Sequence, residues 1–161
     1  LLAKRAHGLV YGAGATGLMG AVSRGVESEN GDVIGVVPEF FTNEEVLNLN
    51  CTTLIRTKTM RERKQIMEDY ADAFIITPGG IGTFEEFFEI LTLKQLDRHD
   101  KPIAILNTAG YYDPMLKMLD HSIAEGFLKA QCRVMYPAFA TPEQVLDYIE
   151  NYKPTELKGM K

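Results

Sequence analysis

Ala73-Phe74-Ile75-Ile76-Thr77-Pro78-Gly79-Gly80-Ile81-Gly82-Thr83-Phe84-Glu85-Glu86-Phe87-Phe88 decides how this chain reads. Ala73–Ile76 is a short apolar run that reads as a strand. Pro78-Gly79-Gly80 breaks it. From Thr83 to about Leu96 the apolar spacing changes to that of a helix, with Phe84, Phe87, Phe88 and Leu91 on one stripe. A strand, a glycine turn and a helix are half of a βαβ unit, and the same alternation recurs on either side.

Upstream, His7–Tyr11 reads as a strand ending in Gly12-Ala13-Gly14-Ala15-Thr16-Gly17. A helix follows from about Leu18 to Glu29, closed by Asn30-Gly31. Val33–Val37 reads as an internal parallel strand covered on both faces, Cys51–Arg56 as another strand and Met60–Ala71 as a helix. Between them, 39–50 is ambiguous, with one helical turn available at Asn43–Leu47. Downstream, Ile103–Leu106 and Val134–Tyr136 read as strands. Pro114–Glu125 is a helix stopped by Gly126, and Thr141-Pro142-Glu143 opens a last helix. The tail after Asn151 reads as loose. This pattern predicts a single α/β domain over residues 1–161, with an open, mainly parallel sheet, Rossmann-like, and helices on both faces.

Length and composition agree. The chain has 161 residues, 45% hydrophobic and 24% charged, with a formal net charge of −5. The acidic balance argues against a nucleic-acid partner. No apolar run is long enough for a membrane span, so no membrane partner is expected. Two cysteines, Cys51 and Cys132, with no Cys/His cluster, point to reduced thiols and a cytoplasmic location. His7, His99 and His121 are scattered, so neither a metal nor a cofactor is expected.

Three stretches carry candidate chemistry. In Pro78–Thr83, the three glycines let successive N–H groups converge, and the following helix adds its unpaired N–H groups and positive dipole end, as an anion requires. Thr83 adds a hydroxyl. Thr83 at the N-cap with Glu86 at N3 also matches a capping box, which would account for both residues without chemistry. Glu85 and Glu86 suit either a grip on ribose hydroxyls or simple dipole compensation. Gly12–Gly17 matches G-x-G-x-x-G, with Glu39 about twenty residues on, leaving an NAD-dependent oxidoreductase as an alternative. Arg56, Lys58, Arg61, Arg63 and Lys64 crowd the start of a helix, where cations oppose the dipole. Either acidic neighbours (Glu62, Glu68, Asp69) or a bound anion must compensate.

Arg63-Lys64 followed by PGGIGTFEE at 78–86 resembles the PGGxGTxxE family. It includes the cytokinin-activating "Lonely guy" (LOG) phosphoribohydrolases, many once labelled lysine decarboxylases. Val10-Tyr11-Gly12, Gly17-Leu18-Met19-Gly20, Val33–Pro38, Thr92–Gln95, Lys101-Pro102 and Gly110-Tyr111-Tyr112 extend the resemblance along nearly the whole chain. It implies a homodimeric enzyme that hydrolyses the N-glycosidic bond of a nucleoside 5′-monophosphate. The substrate would be AMP or an N6-modified form such as N6-isopentenyl-AMP, and the products a free base and ribose 5-phosphate. Arg63 and Glu86 match the catalytic pair. Pro78, Gly79, Gly80, Ile81, Gly82 and Thr83 match the phosphate loop. Lys64, Glu85 and Thr92, with Gly12, Gly14 and Met60, match positions at the substrate, and Glu44 or Glu45 an upstream acidic contact. The chain departs from the family pattern at Arg61, where a histidine is common, and at Gly12-Ala13-Gly14, often three glycines. The family's first strand and helix would precede Leu1. A non-catalytic nucleotide-binding protein on the same scaffold is the main competing reading. Lysine decarboxylation would need pyridoxal phosphate on a supported lysine, of which the chain gives no sign.

Overall fold

The computed structural model describes residues 1–41, 43 and 46–154. These residues form two compact units, Leu1–Ala71 and Asp72 onward. Each is a three-stranded, wholly parallel sheet flanked by helices, so the chain is α/β as expected.

In the first unit the order is β1 (Leu9–Tyr11), β2 (Val33–Pro38), β3 (Thr53–Thr57). Leu9 pairs with Val33, and Ile34 with Thr53. The middle strand was read as covered on both faces, and Val33, Val36 and Val37 are all buried. Helix α1 (Gly17–Glu27) connects β1 to β2 and packs on both, while α2 (Met60–Tyr70) lies on all three strands. The chain leaves α1 through Asn30, which takes the left-handed φ of 55° open to asparagine.

The second unit orders β4 (Phe74–Ile76), β5 (Ile103–Leu106) and β6 (Ala138–Phe139). Its helices are α3 (Ile81–Gln95), α4 (Asp113–Ala124) and α5 (Pro142–Glu150). Ile76, Phe87, Leu91, Ile103, Ile105 and Tyr112 anchor one apolar core. The predicted helical stripe is therefore the core face of α3. Phe87 is fully buried, which stabilises the helix by about 1.5–3 kcal/mol relative to an exposed ring. Helix α5 begins as read, with a complete capping box between Thr141 and Gln144 and Pro142 in its first turn.

One strand was misread. Val134–Tyr136 is not a strand: Ala130–Met135 is a 3-10 segment and the edge strand lies at Ala138–Phe139. Cys132 and Met135, three apart, are the buried residues, whereas Val134 is exposed. That spacing is the 3-10 repeat. The ladder is joined instead by the carbonyl of Pro137, which accepts from Ile105 N–H. Glu44 and Glu45, the candidates for the acidic contact and the middle of the helical turn read at Asn43–Leu47, lie outside the described residues.

Candidate functional site

The second unit holds the Pro78–Thr83 run. Helix α3 starts at Ile81 with Gly80 as its N-cap, three residues earlier than the capping-box reading placed the cap. The first helical bond runs from Phe84 N–H to the Gly80 carbonyl, 3.1 Å. The N–H groups of Gly80, Ile81, Gly82 and Thr83 thus precede the intrahelical ladder, and no side chain caps them. Thr83 occupies the third helical position and does not cap the helix. The alternative that explained Thr83 and Glu86 as a capping box is therefore overturned.

Gly79 is required sterically. A Cβ there would lie 2.2 Å from Thr83 Oγ1 and 2.9 Å from Thr83 Cβ. The loop backbone is pressed against the first turn of the helix, with the Thr83 hydroxyl beside it. Ile81 is 86% exposed. Glu86 is half-buried and Glu85 exposed. Glu85, Glu89 and Thr92 follow one another at helical spacing on one face, and the Thr92 hydroxyl donates back to the Phe88 carbonyl, 2.7 Å.

The first unit holds Gly12, Gly14, Met60, Arg63 and Lys64. Arg63 sits in the second turn of α2, where its Nε donates to the Val36 carbonyl of β2 at 3.1 Å. Its fork lies directly over Gly12: a Cβ on residue 12 would be 1.9 Å from Nη2. Gly12 is therefore a glycine because the Arg63 guanidinium occupies the space of its side chain. Lys64 is half-buried and Met60 partly exposed. Around the cation cluster, the start of α2 is tied down by its own side chains. Thr59 caps α2 by accepting from Glu62 N–H, and the Glu62 carboxylate accepts from Lys58 N–H at 2.7 Å.

Gly14 of the first loop and Gly20 of α1 are also closely packed. A Cβ on Gly14 would lie 3.0 Å from the end of the Met19 side chain, and one on Gly20 would strike the Ala15 carbonyl at 1.8 Å. The loop is bridged to Leu47, with Ala15 N–H donating to Val46 and Asn48 N–H to the Ala13 carbonyl. A dinucleotide loop offers its backbone to a pyrophosphate. This loop spends much of that backbone on its own chain, so the geometry disfavours the NAD reading.

Residues 19–149 match the family described as possible lysine decarboxylase. A probable cytokinin riboside 5'-monophosphate phosphoribohydrolase of Oryza sativa subsp. japonica, LOGL1, is 41% identical over 151 residues, which are 94% of this chain and 68% of that protein. The cytokinin riboside 5'-monophosphate phosphoribohydrolase LOG2 of Arabidopsis thaliana is 39% identical over 153 residues, 95% of this chain and 72% of that protein. The chain belongs to the LOG family. A likeness in fold alone extends to the molybdenum cofactor binding protein from the phototrophic bacterium Rippkaea orientalis, with a TM-score of 0.67 and 20% identity over 92% of this chain and 79% of that one.

Within this LOG-family chain, two features escaped the sequence reading. Lys94 is buried, donating to the carbonyls of Asp100 and Lys101 and to the Tyr152 hydroxyl. Burial pushes its ammonium down to about 8, and Asp100 partly offsets this. Its helical register, on the stripe of Phe87 and Leu91, was the available signal. Tyr111 and Tyr112 were quoted only as resemblance, yet both hydroxyls bond the phosphate-loop segment, as developed below. Among the described residues no three His, Cys, Asp or Glu side chains gather as a metal site, and no helix is long and apolar enough to cross a membrane.

Proposed function

We propose that this chain hydrolyses the N-glycosidic bond of AMP or an N6-modified AMP, releasing the free base and ribose 5-phosphate. The observation that carries the reading is the start of α3. Four backbone N–H groups, uncapped by any side chain, lie in the PGGIGT run that its LOG relatives lead one to expect at the 5′-phosphate. A phosphate there satisfies the orphan donors and meets the positive end of the helix dipole.

Breaking the C1′–N bond sends its electron pair to the base and builds oxocarbenium character on the ribose. Water supplies the new C1′–O bond, and its proton ends on the base. Glu86 stabilises the cationic ribose and orients water. Arg63 acts on the departing base through charge and hydrogen bonds, the strength of a rigid guanidinium, and not by proton transfer. Its Nε anchor on Val36 and its seat over Gly12 hold it in one place. Pro78–Thr83 binds phosphate, while Gly12, Gly14, Met60, Lys64, Glu85 and Thr92 complete the substrate contacts. No cofactor takes part. The protein works as a cytoplasmic homodimer. The free thiols of Cys51 and Cys132 suit a reducing compartment, and the 90% exposed Phe127 offers apolar surface to a partner copy.

Chromatographic detection of base released from AMP, GMP, CMP and N6-isopentenyl-AMP tests the reading. Base release from an adenine nucleotide is expected, and Glu86→Ala should abolish it while weakening AMP binding less. Binding without turnover in the unmodified protein would leave a nucleotide-binding protein and reject the enzyme.

A further inference from the structure

Tyr111 and Tyr112 are adjacent in sequence, and their hydroxyls reach two carbonyls of the same loop. Tyr112 Oη donates to the Thr77 carbonyl at 2.5 Å, and Tyr111 Oη to the Gly79 carbonyl at 2.7 Å. Tyr112 is fully buried, stacked edge-on against Phe84 at the start of α3, and burial pushes its hydroxyl up to about 12. Tyr111 is about half exposed and packs edge-on against Tyr112, ring centres 5.0 Å apart.

The turn that presents them is fixed independently of the loop. Asn107 Oδ1 accepts from Tyr112 N–H at 2.7 Å, and Asn107 Nδ2 donates to Asp113 Oδ1 at 2.8 Å. Ala109 and Gly110 take left-handed φ values of 54° and 72°. Ala109 holds this conformation without a glycine's freedom, as a turn does when its surroundings determine it.

The bond to Gly79 has a directional consequence. Its carbonyl belongs to the peptide plane joining Gly79 to Gly80, and the peptide is trans. In a trans peptide the N–H points opposite to the C=O. Holding the Gly79 carbonyl toward Tyr111 therefore holds the Gly80 N–H away from it. Gly80 is the N-cap of α3 and the first of its four orphan donors. Both residues that flank this plane are glycines, so no side chain of their own restricts its rotation.

We propose that Tyr111 is a positioning residue for phosphate binding: its hydroxyl fixes the Gly79–Gly80 peptide plane so that the Gly80 N–H stays aimed at the anion. Tyr112 anchors the root of the loop, and Tyr111 sets the one plane that glycine leaves loose. The inference rests on the phosphate role of this loop, but not on hydrolysis.

The test is Tyr111→Phe, which keeps the ring contact and removes the donor. The dissociation constant of ribose 5-phosphate, read by calorimetry, should rise about fivefold, the effect of one net hydrogen bond. KM for AMP should rise with it while kcat changes by less than about twofold, as when an interaction shared by ground and transition states is lost. On titrating the unmodified protein with ribose 5-phosphate, the Gly80 amide proton should shift strongly, and in the variant weakly. An unchanged ribose 5-phosphate affinity overturns the proposal. So does a loss of kcat with affinity retained, or failure of the unmodified protein to bind ribose 5-phosphate. If the unmodified protein binds ribose 5-phosphate but releases no base, only the hydrolytic reading falls, and the affinity comparison still decides the role of Tyr111.

Discussion

Replacing Gly12 by alanine adds one methyl group and should disable the enzyme without unfolding it. The new Cβ would lie 1.9 Å from Arg63 Nη2 and 3.0 Å from its Cζ. Ordinary non-bonded contact begins at about 3.5 Å, so Nη2 must retreat by roughly 1.5 Å. The guanidinium is planar and rigid, and Nη2 cannot move that far while Nε keeps its bond to the Val36 carbonyl. The whole fork must swing. A catalytic group misplaced by about 1 Å costs on the order of a hundredfold in rate, or about 2.7 kcal/mol. Stability should change little. The clash falls on the end of a flexible side chain, and Gly12 lies outside the left-handed region, so alanine tightens the unfolded chain at no backbone strain. Adenine release from AMP is the assay, with thermal unfolding alongside. The decisive comparison is a cycle with Arg63→Ala. If Gly12→Ala acts only by displacing Arg63, the double variant will be no slower than Arg63→Ala alone. A folded Gly12→Ala protein within about threefold of the parent rate, far from the hundredfold expected of misplacement, would refute the reasoning. So would additive losses in the cycle.

Gly79→Ala should strike phosphate binding. Its Cβ would meet both Oγ1 and Cβ of Thr83, so the first turn of α3 must shift. Calorimetry should show ribose 5-phosphate affinity down more than about tenfold, with about 1–3 kcal/mol lost in stability, the usual cost of overpacking. Lys94 makes stability depend on pH. Its folded value of about 8 lies below the unfolded 10.5, so between those values the unfolded chain holds a proton the native one has released, and stability rises with pH. Tyr112 and Tyr148, raised from 10.0 to about 12 by burial, reverse the trend above pH 10. Urea unfolding should therefore show a gain of at most about 2–3 kcal/mol from pH 8 to 10. Lys94→Met should flatten that rise, and an unchanged slope in the variant would show that Lys94 is not its source.

Much of this was legible from period and punctuation. The apolar runs at 33–37 and 103–106 became the buried middle strands, and the α3 stripe became a core face, because burial on both sides of a strand or along one helix face writes itself into the sequence. The 134–136 segment was misread because three apolar residues carry no period. Only the exposure of Arg133 and Val134 between buried Cys132 and Met135 distinguishes a 3-10 turn from a strand. The bonds of Tyr111, Tyr112 and Lys94 were invisible for another reason. Each donor finds a carbonyl 6 to 35 residues away, and a backbone acceptor leaves no mark in residue identity.

The overturned alternative with the most consequence concerns Thr83. Thr-x-x-Glu is a helix-start signature, and placing Thr83 at the cap removed half the need for a ligand. That alternative competes with a geometric fact the sequence does carry. Gly79 and Gly80 permit the helix to begin early, and a helix that starts on glycine brings no side chain to its own orphan N–H groups. Natural helices with such starts meet their donors with solvent or with a ligand. Here Tyr111 holds the adjoining carbonyl in one orientation, a constraint that solvation alone would not require. The same glycines that make the cap weak as structure make it serviceable as a phosphate site. A side-chain cap engineered at Gly80, as Gly80→Ser, should therefore stabilise α3 and compete with ribose 5-phosphate for its N–H groups. Higher stability with undiminished phosphate affinity would mean that the anion does not use them.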